Sequence, residues 1–213
     1  MPIDLGTIER NPSIRYGFYL RPSAAMSRAQ SEVHEVLRRQ FGLEVGGKFM
    51  PHGTIMGFHR SDASIVELSA AIDGVLSGRK PFTITNRGPR PHGRSGISLD
   101  IHANADGTPN APLVDLHEAI FDALSPLAHP ECEFAWGDWS RERFRAHLTL
   151  AMADIPDWLF DEVMEFVRDF GQIGPQTFIA DSFHLYAFQS DDWGGNWWDT
   201  MSWRDLAGWR LPE

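Results

Sequence analysis

Lys48-Phe49-Met50-Pro51-His52-Gly53-Thr54-Ile55 is the stretch that decides the fold, because the chain contains it twice. The second copy is Arg143-Phe144-Arg145-Ala146-His147-Leu148-Thr149-Leu150. Both read basic, Phe, any, any, His, any, Thr, Ile or Leu. Each runs into residues with strand character: Thr54, Ile55, Met56 and Phe58 in the first, Leu148, Thr149 and Leu150 in the second. Side chains alternate faces along a strand. His52 and Thr54 therefore share one face, as do His147 and Thr149, while Ile55 and Leu150 turn to a core. A strand extended upstream would also carry Lys48 and Arg143 on the His-Thr face.

Two imidazoles, two hydroxyls and the cations Lys48, Arg143 and Arg145 on converging strands suit a phosphodiester. An imidazole takes or gives a proton near neutral pH. A pair can do both at once, one deprotonating the attacking oxygen and one protonating the leaving oxygen. Threonine hydroxyls can donate to the non-bridging phosphate oxygens. A single His-x-Thr is common in strands, so the weight rests on the repeat and on its matched flanks.

The paired motifs, one in each half of the chain, resemble those of the 2H phosphoesterase superfamily. That group includes bacterial 2′-5′ RNA ligase-like proteins and cyclic nucleotide phosphodiesterases. The resemblance implies a bilobal α+β fold, with two antiparallel sheets around a central cleft and helices outside. It implies metal-free cleavage or formation of phosphodiesters at a ribose 2′ position. By motif match His52 and His147 would be the acid–base pair, and Thr54 and Thr149 the phosphate donors. Such proteins often carry Pro before the second His, as Pro51 stands before the first here, but this chain has Ala146.

With 213 residues, 42% of them hydrophobic, and eight Trp, the chain can bury a sizeable core. Its one Cys, Cys132, excludes an intrachain disulfide and makes the cytosol the expected compartment. Residues Met1 to Arg15 lack the pattern of a signal peptide, and no run of about 18 apolar residues suggests a membrane span. The formal net charge is −10. A protein that tracks a long nucleic acid carries a basic face. A small nucleotide or the end of an RNA is therefore the expected partner, bound by a monomer without a cofactor.

The order of elements repeats as well. Tyr16–Leu20 reads as a strand. Ser23 caps a helix from Ala24 to Phe41, striped by Met26, Ala29, Val33, Val36, Leu37 and Phe41, with Gly42 after it. His34 lies beside that stripe, partly exposed. After the first motif, Ser61 or Asp62 caps a second helix, about Ala63 to Leu76. Phe82–Thr85 is a strand, and Asn86–Gly96, with Arg87, Arg90 and Arg94, reads as a mobile basic loop. Ile97, Leu99 and Ile101 alternate with Ser98, Asp100 and His102 as a half-buried strand. A turn cluster at Asn104–Pro112 divides an N-terminal lobe of about 14–103 from a C-terminal lobe of about 104–213 within one domain. The third helix spans Leu113–Leu127. Ala128–Glu142, with Trp136 and Trp139, is irregular and could frame the cleft mouth. A fourth helix starts at Asp154 or Pro156 and runs to Phe170. Strands follow within Phe178–Phe188 and Trp197–Leu211. Tyr19 and Tyr186 are the candidates for stacking on a nucleobase.

Two other readings remain: a nucleotide-binding module of the same fold without turnover, and a metallohydrolase drawing on the nine histidines. Zinc sites usually show short spacings such as His-x-x-x-His or Cys-x-x-Cys. The nearest pairs here are His52 with His59 and His92 with His102. No P-loop and no Gly-x-Ser-x-Gly elbow occurs.

Overall fold

A computed structural model describes residues 8–132 and 143–213. Strand β1 (Ile14–Leu20) leads to helix α1 (Ala24–Phe41), β2 (Gly53–His59) and α2 (Ile65–Leu76). Then come β3 (Phe82–Thr85), β4 (Pro89–Pro91), β5 (Gly96–Asp100) and α3 (Ala111–Leu124). The chain ends with β6 (His147–Met152), α4 (Phe160–Asp169), β7 (Thr177–Ala180), β8 (Ser182–Gln189) and β9 (Ser202–Arg210). The fold is α+β, as the motifs imply, with a large antiparallel sheet and a small one. The large sheet has seven strands in the order β4-β5-β6-β2-β1-β8-β9, and β3 pairs with β7 in the small one.

Two groups of strands make up the large sheet, and they meet at one place. β2 and β6 share a single pair, Gly53 with Leu148. On one side β5 and β4 extend from β6, and on the other β1, β8 and β9 extend from β2. The division of the sequence near residue 104 is not a division of this sheet. β4 and β5, from the first half, lie with β6 from the second, while β8 and β9 lie with β1 and β2.

The helices repeat that exchange. α1 packs on β6 and α3 on β2, so each half of the chain supports the other half's motif strand. α1 buries Met26, Gln30, Val33 and Leu37, spaced for one face of a helix. Ser23 caps it by accepting from the Met26 N–H, and Gly42 closes it in the left-handed region at φ 72°, which glycine adopts without a Cβ penalty. α2 begins later than its sequence suggests. Ser64 and Glu67 form a reciprocal capping box there, while Ser61 donates to the Leu127 carbonyl instead. α3 starts at its Asn110 cap, and a short 3-10 turn follows it at Ser125–Leu127. α4 likewise begins only after a 3-10 turn, Asp157–Leu159. The strand expected in Phe178–Phe188 is two strands, β7 and β8, which serve different sheets. Trp136 and Trp139 fall outside the described residues.

Ahead of β2 the chain does not stay extended. Val45–Lys48 forms a 3-10 turn whose Gly46 is pressed against β6. A Cβ on Gly46 would stand 2.9 Å from the Leu150 carbonyl oxygen and 3.3 Å from the Ala151 Cα. Those are backbone atoms and cannot rotate away. Gly46→Ala is therefore expected to destabilise the fold by about 1–3 kcal/mol through overpacking. Urea denaturation checks this, and an unchanged midpoint would show that the turn is not held against β6.

Candidate active site

The Gly53–Leu148 pair fixes the geometry of both motifs. Extending its antiparallel register by one residue each way sets His52 opposite Thr149 and Thr54 opposite His147. Gly53 and Leu148 are buried toward the core, so all four polar side chains lie on the other face. That face is the floor of a cavity of about 400 Å³, lined by His52, Thr54, His147 and Thr149.

Backbone bonds hold the two imidazoles alike. Nδ1 of His52 lies 2.7 Å from the Met50 carbonyl, and Nδ1 of His147 lies 2.7 Å from the Arg145 carbonyl. A carbonyl can only accept, so both Nδ1 atoms carry the proton and donate it. Nε2 is left on each ring as the atom that takes or gives a proton. The strands beneath are braced from the helices. The Thr149 carbonyl accepts from Gln30 Nε2 at 2.8 Å and from His34 Nε2 at 2.9 Å, both on α1. The Ile55 carbonyl accepts from His117 Nδ1 on α3 at 2.7 Å. His34 is thus a structural brace, where the sequence suggested a bystander next to the helix stripe.

Packing around the rings removes most of their hydration. Tyr19 meets His52 edge-on with ring centroids 4.9 Å apart, and Phe49 lies 5.5 Å away. His147 is covered by the ring of His92, 4.4 Å from it. Burial pushes His52 down to about 4, opposed by the Met50 carbonyl and helped by the neighbouring His34 imidazole. Burial also pushes His147 down to about 4, helped by His92, His52 and Arg90 and opposed by the Arg145 carbonyl. Both rings are therefore neutral at pH 7 in the free protein, although acid catalysis needs one of them charged. An anion bound between them would supply the countercharge and raise the pair.

The cations and tyrosines are distributed unequally. Arg143 and Arg145 line the cavity from its exposed rim. Lys48 does not reach it. The 3-10 turn rotates Lys48 away, and its Nζ donates to the Trp198 carbonyl at 3.0 Å and lies 4.0 Å from Asp199. Lys48 instead steadies the loop that carries Trp197 to the cavity wall. Tyr19 lines the cavity but is only 3% exposed beneath His52, which leaves no face for a base. Tyr186 is equally buried, and its hydroxyl accepts from Arg21 Nη2 at 3.1 Å. The aromatic wall is made by Phe49, Phe58, Trp197 and Phe144. Phe49 and Phe144 are the shared Phe of the two motifs, a legible signal. Phe58, Trp197, His92 and His117 were missed: Phe58 follows the first motif on its own strand at even spacing from His52, a signal left unused, and only the tertiary fold brings the other three to the site. Among the described residues, no three His, Cys, Asp or Glu side chains are grouped so as to hold a metal ion.

The depressed imidazoles make a prediction about pH. His52 and His147, with the buried His59 also at about 4, bind protons more weakly in the folded chain than in the unfolded one. Their contribution to stability is present above the unfolded value of about 6.5 and is lost as pH falls toward 4. Denaturation midpoints should fall over that interval. By NMR both site imidazoles should titrate near 4 in the free protein and higher with inorganic phosphate bound. Titration of both near 6.5 without ligand would contradict the burial account.

No match was found among curated proteins. The 2′-5′ RNA ligase superfamily model matches residues 25–192, which contain both motifs. Among solved structures, the chain is similar to E. coli LigT in its apo form, with a TM-score of 0.53 at 17% identity, over 93% of this chain and 98% of that one. It is also similar to TT0787 of Thermus thermophilus, with a TM-score of 0.62 at 15% identity, over 92% of this chain and 97% of that one. At these identities the structural likeness speaks for the fold alone. With the family model spanning most of its length, the chain belongs to the 2′-5′ RNA ligase superfamily, one of the 2H phosphoesterase groups.

Proposed function

We propose that this protein is a metal-independent phosphoesterase. Its substrate is a small nucleotide or an RNA end, and it cleaves, or in reverse forms, a phosphodiester at a ribose 2′ position. The observation that carries the reading is the Gly53–Leu148 pairing, which sets His52 against Thr149 and Thr54 against His147 over one cavity. The phosphate would lie over this seam, with the two threonine hydroxyls donating to its non-bridging oxygens. One Nε2 takes the proton of the attacking water or hydroxyl as the oxygen bonds to phosphorus. The Nε2–H of the other ring gives its proton to the ribose oxygen as the P–O bond breaks. The matched Nδ1 bonds let either ring fill either role, which suits a reaction run in both directions. LigT structures with 3′-AMP and with NADP+, each at a TM-score of 0.52, support a nucleotide as the ligand of this fold. The aromatic wall of Phe49, Phe58 and Trp197 offers a surface for a base.

The test is turnover of 2′,3′-cyclic nucleotides and 2′-5′-linked dinucleotides by the purified protein after dialysis against a chelator. Activity should survive the chelator. His52→Ala and His147→Ala should each lower kcat by about 100- to 10,000-fold. Thr54→Val and Thr149→Val should lower it by about 10- to 1000-fold, in the range of a lost donor to a charged oxygen. Turnover that returns only with added zinc or manganese, or that persists in His147→Ala, would overturn the reading.

A further inference from the structure

The hairpin of β4 and β5 carries three arginines, and two of them are engaged. Arg87 lies 4.0 Å from the Asp100 carboxylate. Arg94 donates to the Asp157 carbonyl at 3.3 Å, lies 3.9 Å from Asp161, and sets its guanidinium carbon 5.3 Å from the Phe160 ring centroid. These contacts pin the hairpin tip to α4 and the turn before it, so the segment is a wall and not the mobile loop expected from its composition. Arg90 differs. It is half-buried, and its Nε is shielded from solvent with no hydrogen-bond partner among the described residues. Leaving a guanidinium N–H desolvated and unpaired is costly.

Register shows where Arg90 faces. Arg90 pairs with Ser98 across β4 and β5, and Ser98 pairs with Thr149 across β5 and β6. Residues directly opposed in antiparallel strands share a face. Arg90, Ser98 and Thr149 thus form a row that continues to His52. Ser98 is 1% exposed, and its Oγ also has no hydrogen-bond partner among the described residues. His92 keeps the β4 register, its N–H donating to the Gly96 carbonyl at 2.8 Å. Its side chain therefore falls on the Arg90 face, with its ring against His147 on the cavity wall. The Arg90 Nε and the Ser98 Oγ, both buried without a partner among the described residues, belong to neighbouring residues of this row, and Ser98 stands next to the threonine proposed to hold the phosphate.

Arg90 is two strand spacings from Thr149, about 10 Å. A phosphodiester held by both threonines lies beyond Thr149, over the seam of β6 and β2. Arg90 is therefore placed for a different anionic group. We propose that Arg90, with Ser98 and His92, forms a second anion subsite that takes a phosphomonoester on the same substrate as the scissile phosphodiester. The substrate class becomes a nucleotide with two separated phosphates. This rests on the phosphoesterase reading of the main site, but binding can test it without turnover.

The experiment compares calorimetric affinities for a nucleoside 2′,5′-bisphosphate and the matching 2′-monophosphate at one salt concentration. Wild type, Arg90→Met and Arg90→Lys are measured, with circular dichroism to check the fold. Wild type should prefer the bisphosphate by about tenfold or more, the scale of one charge-assisted contact. Arg90→Met should bring that ratio toward one. Arg90→Lys should keep part of it, as a point charge without the planar fork. A wild-type ratio near one overturns the proposal, and so does a ratio unchanged in Arg90→Met. Equal losses for both ligands would assign Arg90 to the main phosphate and also overturn it. An Arg90-dependent preference in a protein that turns over no 2′-linked substrate would keep the subsite and remove the catalytic reading.

Discussion

One backbone pairing carries the site. Gly53 and Leu148 are the residues through which β2 and β6 join two strand groups into a single sheet. Antiparallel register does the rest. Residues on either side of that pair must turn to the opposite face, and in both strands those residues are His and Thr. The pairing would be fragile alone, so the flanking carbonyls are held from outside the sheet. Gln30 and His34 on α1 fix the Thr149 carbonyl, and His117 on α3 fixes that of Ile55. Because α1 belongs to the first half of the chain and α3 to the second, each half depends on the other for its motif. A partly folded chain would hold neither motif in place.

The same arrangement sets the electrostatics. Carbonyl acceptors at Nδ1 fix the tautomer of both rings, while burial under Tyr19 and Phe49 on one side and His92 on the other disfavours charge. In the free protein both rings are then neutral near pH 7. In the proposed reaction, the proton that makes one of them an acid would be stabilised by the substrate's own negative charge, which would link charging to binding. The cations suit this division. Arg143 and Arg145 stand at the rim, where they can draw an anion in without suppressing the protonation of His52.

Much of this was legible in the sequence, for a physical reason. A repeated motif with strand alternation assigns a face to each side chain, so His52, Thr54, His147 and Thr149 could be placed without coordinates. The same logic failed upstream, because it assumed an extended chain. The Gly46-Gly47 pair folds into a 3-10 turn and takes Lys48 to the Trp198 carbonyl. Tyr19 and Tyr186 misled for another reason. Their strands are central in the sheet, where an aromatic ring becomes core and support, not a stacking surface. His92 and Trp197 could not be found locally at all. Nothing near them in sequence is periodic with the motifs, and cross-strand register and a loop tied down by Lys48 bring them to the cavity.

The central claim is that His52 and His147 act as one unit across the Gly53–Leu148 seam. A double-mutant cycle on kcat/KM, with His52→Ala, His147→Ala and the double variant, measures this directly. Residues that act as a unit are strongly non-additive. The double variant should lose scarcely more than the worse of the two single variants. Losses that multiply would mean that the rings act in independent steps, and the paired site described here would be wrong.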